Sequence, residues 1–357
     1  MDKEFNGIER VKKLSAILSK DGLDSILITS AANVRYLSGF SGGAACLFIS
    51  KGKRFFITDS RYELQAKKDT AGFDIIILKR SLPDSIADLV KDLGIKIVGF
   101  EPDSLTYSRY ERISKGFGQS ALRPFAGAVE ELRERKDSME IQLVRKSVSI
   151  LKSAVDYFKS ILKPGITENE LAARTEYFIR HSGGEGASFD IIVASGGNSA
   201  FPHAKPQGRA VKANDMVLLD LGVNYRGYNS DLTRVFFLGK ITSKRKKIYD
   251  IVKQAQKRAI ELIAGGTKIF EIDAAARDFI RQEGFGGCFN HALGHGIGLE
   301  IHENPSLSGS NQAILKQGMI FTVEPAIYLP GWGGIRIEDM ILVKKKGYEV
   351  LTDDIDK

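Results

Sequence analysis

The chain has 357 residues, 27% charged and 43% hydrophobic, an ordinary balance for a folded protein with room for two or three domains. Its two cysteines, Cys46 and Cys288, are too few for a disulfide framework and point to a reducing, cytoplasmic setting. The net charge of +8 comes from basic residues spread along helical stretches, with no zinc-finger spacing and no aromatic-and-basic platform, so nucleic-acid binding is not expected. No apolar run is long enough to span a bilayer or to act as a secretory h-region, so no membrane role is expected either.

Residues 5–20 have helical periodicity, Ser25–Thr29 reads as a strand, Asn33–Ser41 as a loop, and Ala44–Ser50 and Arg54–Thr58 as two strands. A helix near Arg61–Lys68, a strand Asp74–Leu78, a helix Pro83–Leu93 and a strand Lys96–Phe100 follow. This alternation predicts an α/β domain over residues 1–127. It holds no histidine, no P-loop and no GxGxxG after a strand, which makes it a scaffold or assembly domain.

The remainder, 128–357, repeats itself. A helical stretch from Val129 to Leu162, with a break near Lys136–Asp137, ends at Lys163-Pro-Gly165. A capping-box pattern, Thr167-Glu-Asn-Glu170, opens a second helix that closes at Gly183-Gly184. A shift of 101 residues lays this pair on helices Ser243–Ala264 and Ile269–Glu283, matching Gly165 to Gly266, Phe178-Ile-Arg180 to Phe279-Ile-Arg281 and Gly183 to Gly284. Each pair runs on into strands: Phe189–Ala194, Met216–Gly222 and Asp231–Leu238, then Met319–Tyr328 and Gly334–Val343. An internal duplication predicts two αβ halves about a pseudo-twofold, with helices outside a curved antiparallel sheet.

Each half carries one carboxylate-bearing hairpin. Asp220 and Asp231 lie eleven residues apart around a midpoint at Tyr225–Arg226, in a Gly- and Asn-containing link. Glu324 and Glu338 lie fourteen apart around Gly331, in the turn Pro330-Gly-Trp-Gly-Gly334. Folding at those midpoints sets each pair on neighbouring strands, and a crevice between the halves would gather all four. Four buried carboxylates repel and lose water, and two divalent cations would balance them. With histidines beside them the donor set suits Mn²⁺, Co²⁺, Zn²⁺ or Fe²⁺ and metal-assisted hydrolysis. Four of the five histidines, His203, His291, His295 and His302, sit in Gly- or Pro-rich segments of this part. His291 and His295 have the i, i+4 spacing of a helical metal pair, but Gly294, Gly296 and Gly298 argue against a helix, so one is expected to be a ligand and the other to lie further out.

The motifs SGGNSAFPHA around His203, LLDLG, YNSDLTR, HALGHGIGLEIHE, TVEPAIY and GIRIEDM resemble those of the pita-bread metallopeptidases, in the Xaa-Pro aminopeptidase and Xaa-Pro dipeptidase (prolidase) branch. The likeness covers nearly the whole chain, including the α/β domain in front. It implies a dinuclear centre, Mn²⁺ foremost, held by Asp220, Asp231, His295, Glu324 and Glu338, with Asp231 and Glu338 bridging. By the same resemblance Glu324 is the general base, and His203 and His302 bind the substrate carbonyl or shuttle protons. His291 would line a proline pocket, Arg336 would orient acidic ligands, and Tyr328 would donate a further hydrogen bond or simply pack in its strand.

The expected activity is release of an N-terminal residue from a following proline (Xaa-Pro aminopeptidase). The alternative is a prolidase restricted to dipeptides, and a homodimer is implied. A non-catalytic pita-bread binding protein would have lost some of these ligands, and none of the five is missing.

Overall fold

The computed structural model describes residues 6–50, 52–117 and 120–356. The chain divides into two compact units, 1–133 and 134–357.

In the first unit the elements run α1 (Gly7–Lys20), β1 (Ser25–Ile28), α2 (Ala31–Ser38), β2 (Ala45–Ser50), β3 (Lys53–Thr58), α3 (Glu63–Asp69), β4 (Asp74–Ile77), α4 (Leu82–Asp92), β5 (Ile97–Phe100), α5 (Tyr107–Lys115), β6 (Ala121–Pro124) and α6 (Ala128–Glu134). The strands form one mixed sheet in the order β4-β3-β2-β1-β5-β6, and the central strand β1 is buried along its whole length. The start expected for the first helix, residue 5, lies outside the described residues. The loop expected over Asn33–Ser41 is a helix for most of its length. Ser30 caps α2 by accepting from the Asn33 N–H, and Gly39 ends it at φ 81. Buried Val34 and Leu37 give it an apolar face too short to stand out as periodicity.

The second unit holds α7 (Ser138–Ile161), α8 (Glu168–His181), β7 (Gly186–Ala187), β8 (Ile192–Ser195), β9 (Met216–Leu221), β10 (Val223–Tyr225), β11 (Tyr228–Asn229), β12 (Leu232–Phe237), α9 (Ser243–Glu261) and α10 (Ile269–Gln282). It continues through β13 (Gly294–Gly296), β14 (Glu303–Leu307), β15 (Ile320–Val323), β16 (Ala326–Leu329), β17 (Gly333–Arg336), β18 (Asp339–Val343) and β19 (Tyr348–Val350). The break before α7 is a capping box: Asp137 and Glu140 each accept the other's backbone N–H.

The duplication is visible bond by bond. Gly165 and Gly266 turn at φ 94 and 97, and Gly183 and Gly284 at φ 92 and 88. Thr167 bridges Ala210 as Lys268 bridges Ile314. Apolar faces of α7 and α8 pack on one side of β9 and β12, and those of α9 and α10 cover β15–β18. Helices therefore lie outside antiparallel strands, as a pseudo-twofold predicts.

Two hairpins dominate the strands. In the first, β9 pairs with β12 and Asp220 faces Thr233. Arg226 and Gly227, both at positive φ, form the tight turn between β10 and β11. The turn centre is one residue later than the midpoint of the two aspartates, so Asp231 lies diagonal to Asp220 on the same face, not opposite it. In the second hairpin β15 pairs Val323 with Asp339, and β16 pairs Ala326 with Arg336. The shared register puts Glu324 across from Glu338. The single strands expected over 319–328 and 334–343 are each interrupted here, because Pro325 has no N–H for the ladder. The Glu338 N–H instead donates to the Thr233 carbonyl at 3.2 Å, which ties the second hairpin to the first.

Candidate metal centre

Alternation along β12 puts Asp231 and Thr233 on one face, and Arg336 and Glu338 come in on the facing hairpin. Thr233 Oγ1 donates to Glu338 Oε2 at 2.7 Å and accepts from Arg336 Nε at 3.0 Å. Arg336 also donates to Asp220, to the Tyr328 hydroxyl and to the Pro202 carbonyl. His295 on β13 brings Nε2 to 3.6 Å from Asp231 Oδ2 and 3.4 Å from Glu324 Oε1. Thr322 holds both neighbours, donating to Glu324 and accepting the His295 N–H.

Of the ten residues singled out from sequence, nine line one cleft of about 410 Å³: His203, Asp220, Asp231, His291, His295, His302, Glu324, Arg336 and Glu338. Tyr328 stands behind its wall, bonded to Arg336, with its ring 5.9 Å from that of His291. The cleft is completed by Pro202 and Ile301, which lie within two of the motifs, and by Phe189, Ile192 and Ser306, which no motif marked. Thr233 was also missed, although its place two residues after Asp231 on an alternating strand is the signal that finds it. The i, i+4 histidines part company. His295 joins the carboxylates, whereas His291 sits against Phe289 at 5.0 Å with Nδ1 on the Ala292 carbonyl.

Crowding governs the electrostatics. Burial first, then the charges of Glu338, Asp220 and Glu324, push Asp231 well above the usual carboxylate range. Burial likewise raises Glu338, with Glu324 and Asp220 adding to it. Burial lifts Glu324 to about 7 against the pull of Arg336. Asp220 is raised by burial but opposed by Arg336, its partner. Burial lowers His291 and His295 to about 4, so both are neutral rings at pH 7.

Asp220 Oδ1, Asp231 Oδ1 and Glu338 Oε1 are buried acceptors with no hydrogen bond from the described protein. One ligand atom each from Asp231, His295 and Glu338 lies within 4.8 Å of the others. Buried carboxylate oxygens that face one another and a neutral imidazole form an oxygen-and-nitrogen set that fits a divalent cation.

Comparison with known proteins gives the same answer. Residues 142–345, more than half the chain, match the model of metallopeptidase family M24, and residues 10–135 match the creatinase/prolidase N-terminal domain. The chain belongs to metallopeptidase family M24. The family implies divalent metal ions, which this carboxylate-and-imidazole set fits, and the chain is a metal-dependent peptidase of the pita-bread fold. It is 37% identical over 346 residues to a Xaa-Pro dipeptidase of Pyrococcus horikoshii, covering 96% of this chain and 97% of the relative. A solved Xaa-Pro dipeptidase from Bacillus anthracis superposes with a TM-score of 0.96 at 41% identity, over 99% of each chain. An X-Pro aminopeptidase from Thermotoga maritima superposes with a TM-score of 0.87 at 39% identity, over 93% of this chain and 96% of that one. Among the described residues no helix is long and apolar enough to cross a membrane.

Proposed function

We propose that this chain is a two-metal Xaa-Pro dipeptidase, a prolidase. The observation that carries the proposal is the convergence of Asp220, Asp231, His295, Glu324 and Glu338 in one cleft rimmed by His203, His291 and His302. The Xaa-Pro dipeptidases to which the chain is similar over nearly its full length support the narrower specificity over the aminopeptidase expected from sequence.

The five ligand-type residues would hold two divalent cations, Mn²⁺ foremost. Bound there, the cations would lower the pKa of a water and polarise the scissile carbonyl. Glu324, lining the cleft beside His295, takes the proton of the attacking water. His203 and His302 donate to the carbonyl oxygen as it gains charge. His302 is itself held below its ordinary pKa by burial and by His203, with Asp220 opposing. His291, neutral and packed between Phe289 and Tyr328, offers an apolar wall for the proline ring. That ring is what sets the substrate apart, since proline has no N–H and a fixed φ. Arg336 opposes the upward push on Asp220, orients its carboxylate and fixes the Pro202 carbonyl at the rim. A cytoplasmic homodimer acting on small proline-containing peptides completes the proposal.

One observation favours the aminopeptidase as a second reading. Arg336 is the only arginine or lysine among the described residues lining the cleft, and its nitrogens are taken by Asp220, Thr233, Tyr328 and Pro202. A dipeptide's proline carboxylate would need another cation. Mn²⁺-loaded protein should be given an Xaa-Pro dipeptide and a tripeptide with the same first two residues. Cleavage of the dipeptide alone supports the prolidase; release of the first residue from the tripeptide establishes the aminopeptidase. If both substrates stay intact with Mn²⁺ and with Co²⁺, neither reading stands.

A further inference from the structure

Glu168, the first residue of α8, is fully buried and has no part in the chemistry above. Its carboxylate receives four hydrogen bonds. Oε1 accepts from the N–H and the hydroxyl of Ser195, both at 2.6 Å; Oε2 accepts from Asn198 Nδ2 at 2.9 Å and from the Gln207 N–H at 3.0 Å. Ser195 and Gln207 are the two stems of the loop that carries Pro202 and His203. A single carboxylate therefore closes that loop from both ends. Arg209 braces the same stem, donating to the Ser195 hydroxyl and pairing with Asp215.

The duplication shows that the fold does not need this carboxylate. In the first half the N–H groups of Gly165, Glu168 and Asn169 bond the carbonyls of Val211, Arg209 and Gln207. In the second half Gly266, Ile269 and Phe270 make the same three bonds to Leu315, Ala313 and Asn311. The position of Glu168 is there occupied by Ile269, equally buried. An apolar side chain thus suffices for the frame, and the carboxylate is an addition on the side where the loop bears a cleft-lining histidine.

That loop is locked to the site as well. The Gly334 N–H donates to Ser199 Oγ at 2.9 Å, and the Pro202 carbonyl accepts from Arg336 at 3.3 Å. His203 itself has an exposed ring at the cleft, so the loop's closure sets where it stands.

We propose that Glu168 is a positioning residue for His203: by clamping Ser195, Asn198 and Gln207 it holds the imidazole where the substrate carbonyl will sit. The proposal rests on the role given to His203 above. An ionised carboxylate suits four donors because it is acceptor-only, whereas an amide would turn its own N–H groups against two of them.

The test is a double-mutant cycle in the metal-loaded enzyme: Glu168→Gln, His203→Ala and both together, each with kcat, KM, bound metal and melting temperature. Glu168→Gln should lower kcat ~10-fold, the lower end for residues that orient a catalytic group, with KM nearly unchanged and full metal content. His203→Ala should lower kcat ~100-fold, and the double variant should fall no further. Asn198→Ala, which removes one donor and spares the carboxylate, should lower kcat by a smaller factor in the same direction, and it serves if Glu168→Gln does not fold. Multiplying losses in the double variant, loss of metal from Glu168→Gln, or unchanged kcat in both Glu168→Gln and Asn198→Ala would overturn the positioning role. Unchanged kcat in His203→Ala alone would instead overturn the role of His203 on which it rests.

Discussion

The two halves of the catalytic unit build the same feature by different means. In the first, β9 and β12 pair as far as Leu221 and Leu232, the ladder breaks at Gly222 and Asp231, and the aspartates lie diagonal to one another at that break. In the second, Pro325 interrupts the ladder, the glutamates face each other, and Glu338 turns its N–H to Thr233 of the first half. Their charges differ too. Asp220 has Arg336 as a counter-ion, but Asp231 and Glu338 have mainly each other and the remaining acids, and both are pushed far up. One acid of the cluster therefore has a protein counter-ion, while Asp231 and Glu338 are the ones a cation would relieve most.

The sharpest way to break this contrast is to neutralise one acid at a time. Asp231→Asn and Glu338→Gln should both reduce peptidase activity to background and lose bound metal, since each removes an oxygen that the cations would share. Without metal, the outcomes should split. Asp231→Asn relieves repulsion among buried acids and should raise the melting temperature of the metal-free protein. Asp220→Asn strands the buried Arg336 charge and should cost on the order of 3 kcal/mol. Equal shifts of the two in the same direction would show that Arg336 does not distinguish them.

The same contrast predicts a pH dependence. A carboxyl whose folded pKa is raised holds its proton in the native state after the unfolded chain has released it, so stability falls as pH rises towards the folded pKa. Asp231, Glu338 and Glu324 are all raised, the last to about 7. His291 and His295, lowered to about 4, act oppositely, but only below the ordinary histidine pKa, where the unfolded chain takes up protons. Above about pH 7.5 the histidines are neutral in both states and the carboxyls alone remain. Metal-free protein should therefore melt lower at pH 8.5 than at pH 7.5. The metal-loaded protein should lose most of that slope, because the cation replaces the protons. Parallel melting curves with and without Mn²⁺ would refute the argument.

Most of this centre was legible in the sequence because it is carried by local features. Turn residues placed the two hairpins, alternation placed the acids on their faces, and a 101-residue repeat announced the two halves. What stayed hidden depends on partners far along the chain. Thr233 matters because Arg336 and Glu338 reach it, Glu168 because Ser195 and Gln207 do, and neither threonine nor glutamate is unusual at its own position. The one-residue shift that made the aspartates diagonal came from Arg226 taking a positive φ next to Gly227, which composition alone does not reveal. In the first unit α2 was read as a loop because its cap and its glycine stop enclose only eight residues.

Arg336→Lys tests the cross-half link at lower cost to the fold. A lysine keeps the charge beside Asp220 but has no planar fork to serve Thr233, Tyr328 and Pro202 together. Metal affinity should drop ~10–100-fold, as for other residues that orient ligands from behind. Measured by titration with a competing chelator, an unchanged affinity would mean that charge alone suffices.

Thr233→Val gives the smallest effect and the cleanest reading of how the halves are joined. Valine keeps the shape and β-branching of threonine, so β12 and its packing should survive. What goes is one hydroxyl that donates to Glu338 at 2.7 Å and accepts from Arg336 at 3.0 Å. Glu338 Oε2 and Arg336 Nε are then both left without that partner in a buried place, at a cost of about 1–3 kcal/mol. A cation can answer the carboxylate but not the guanidinium. Metal should therefore restore only part of the lost melting temperature in Thr233→Val, whereas a loss confined to the Glu338 bond would be restored in full. Complete recovery with Mn²⁺ would mean that Arg336 finds its second acceptor elsewhere, and that the main-chain bond from Glu338 to Thr233 is enough to hold the halves together.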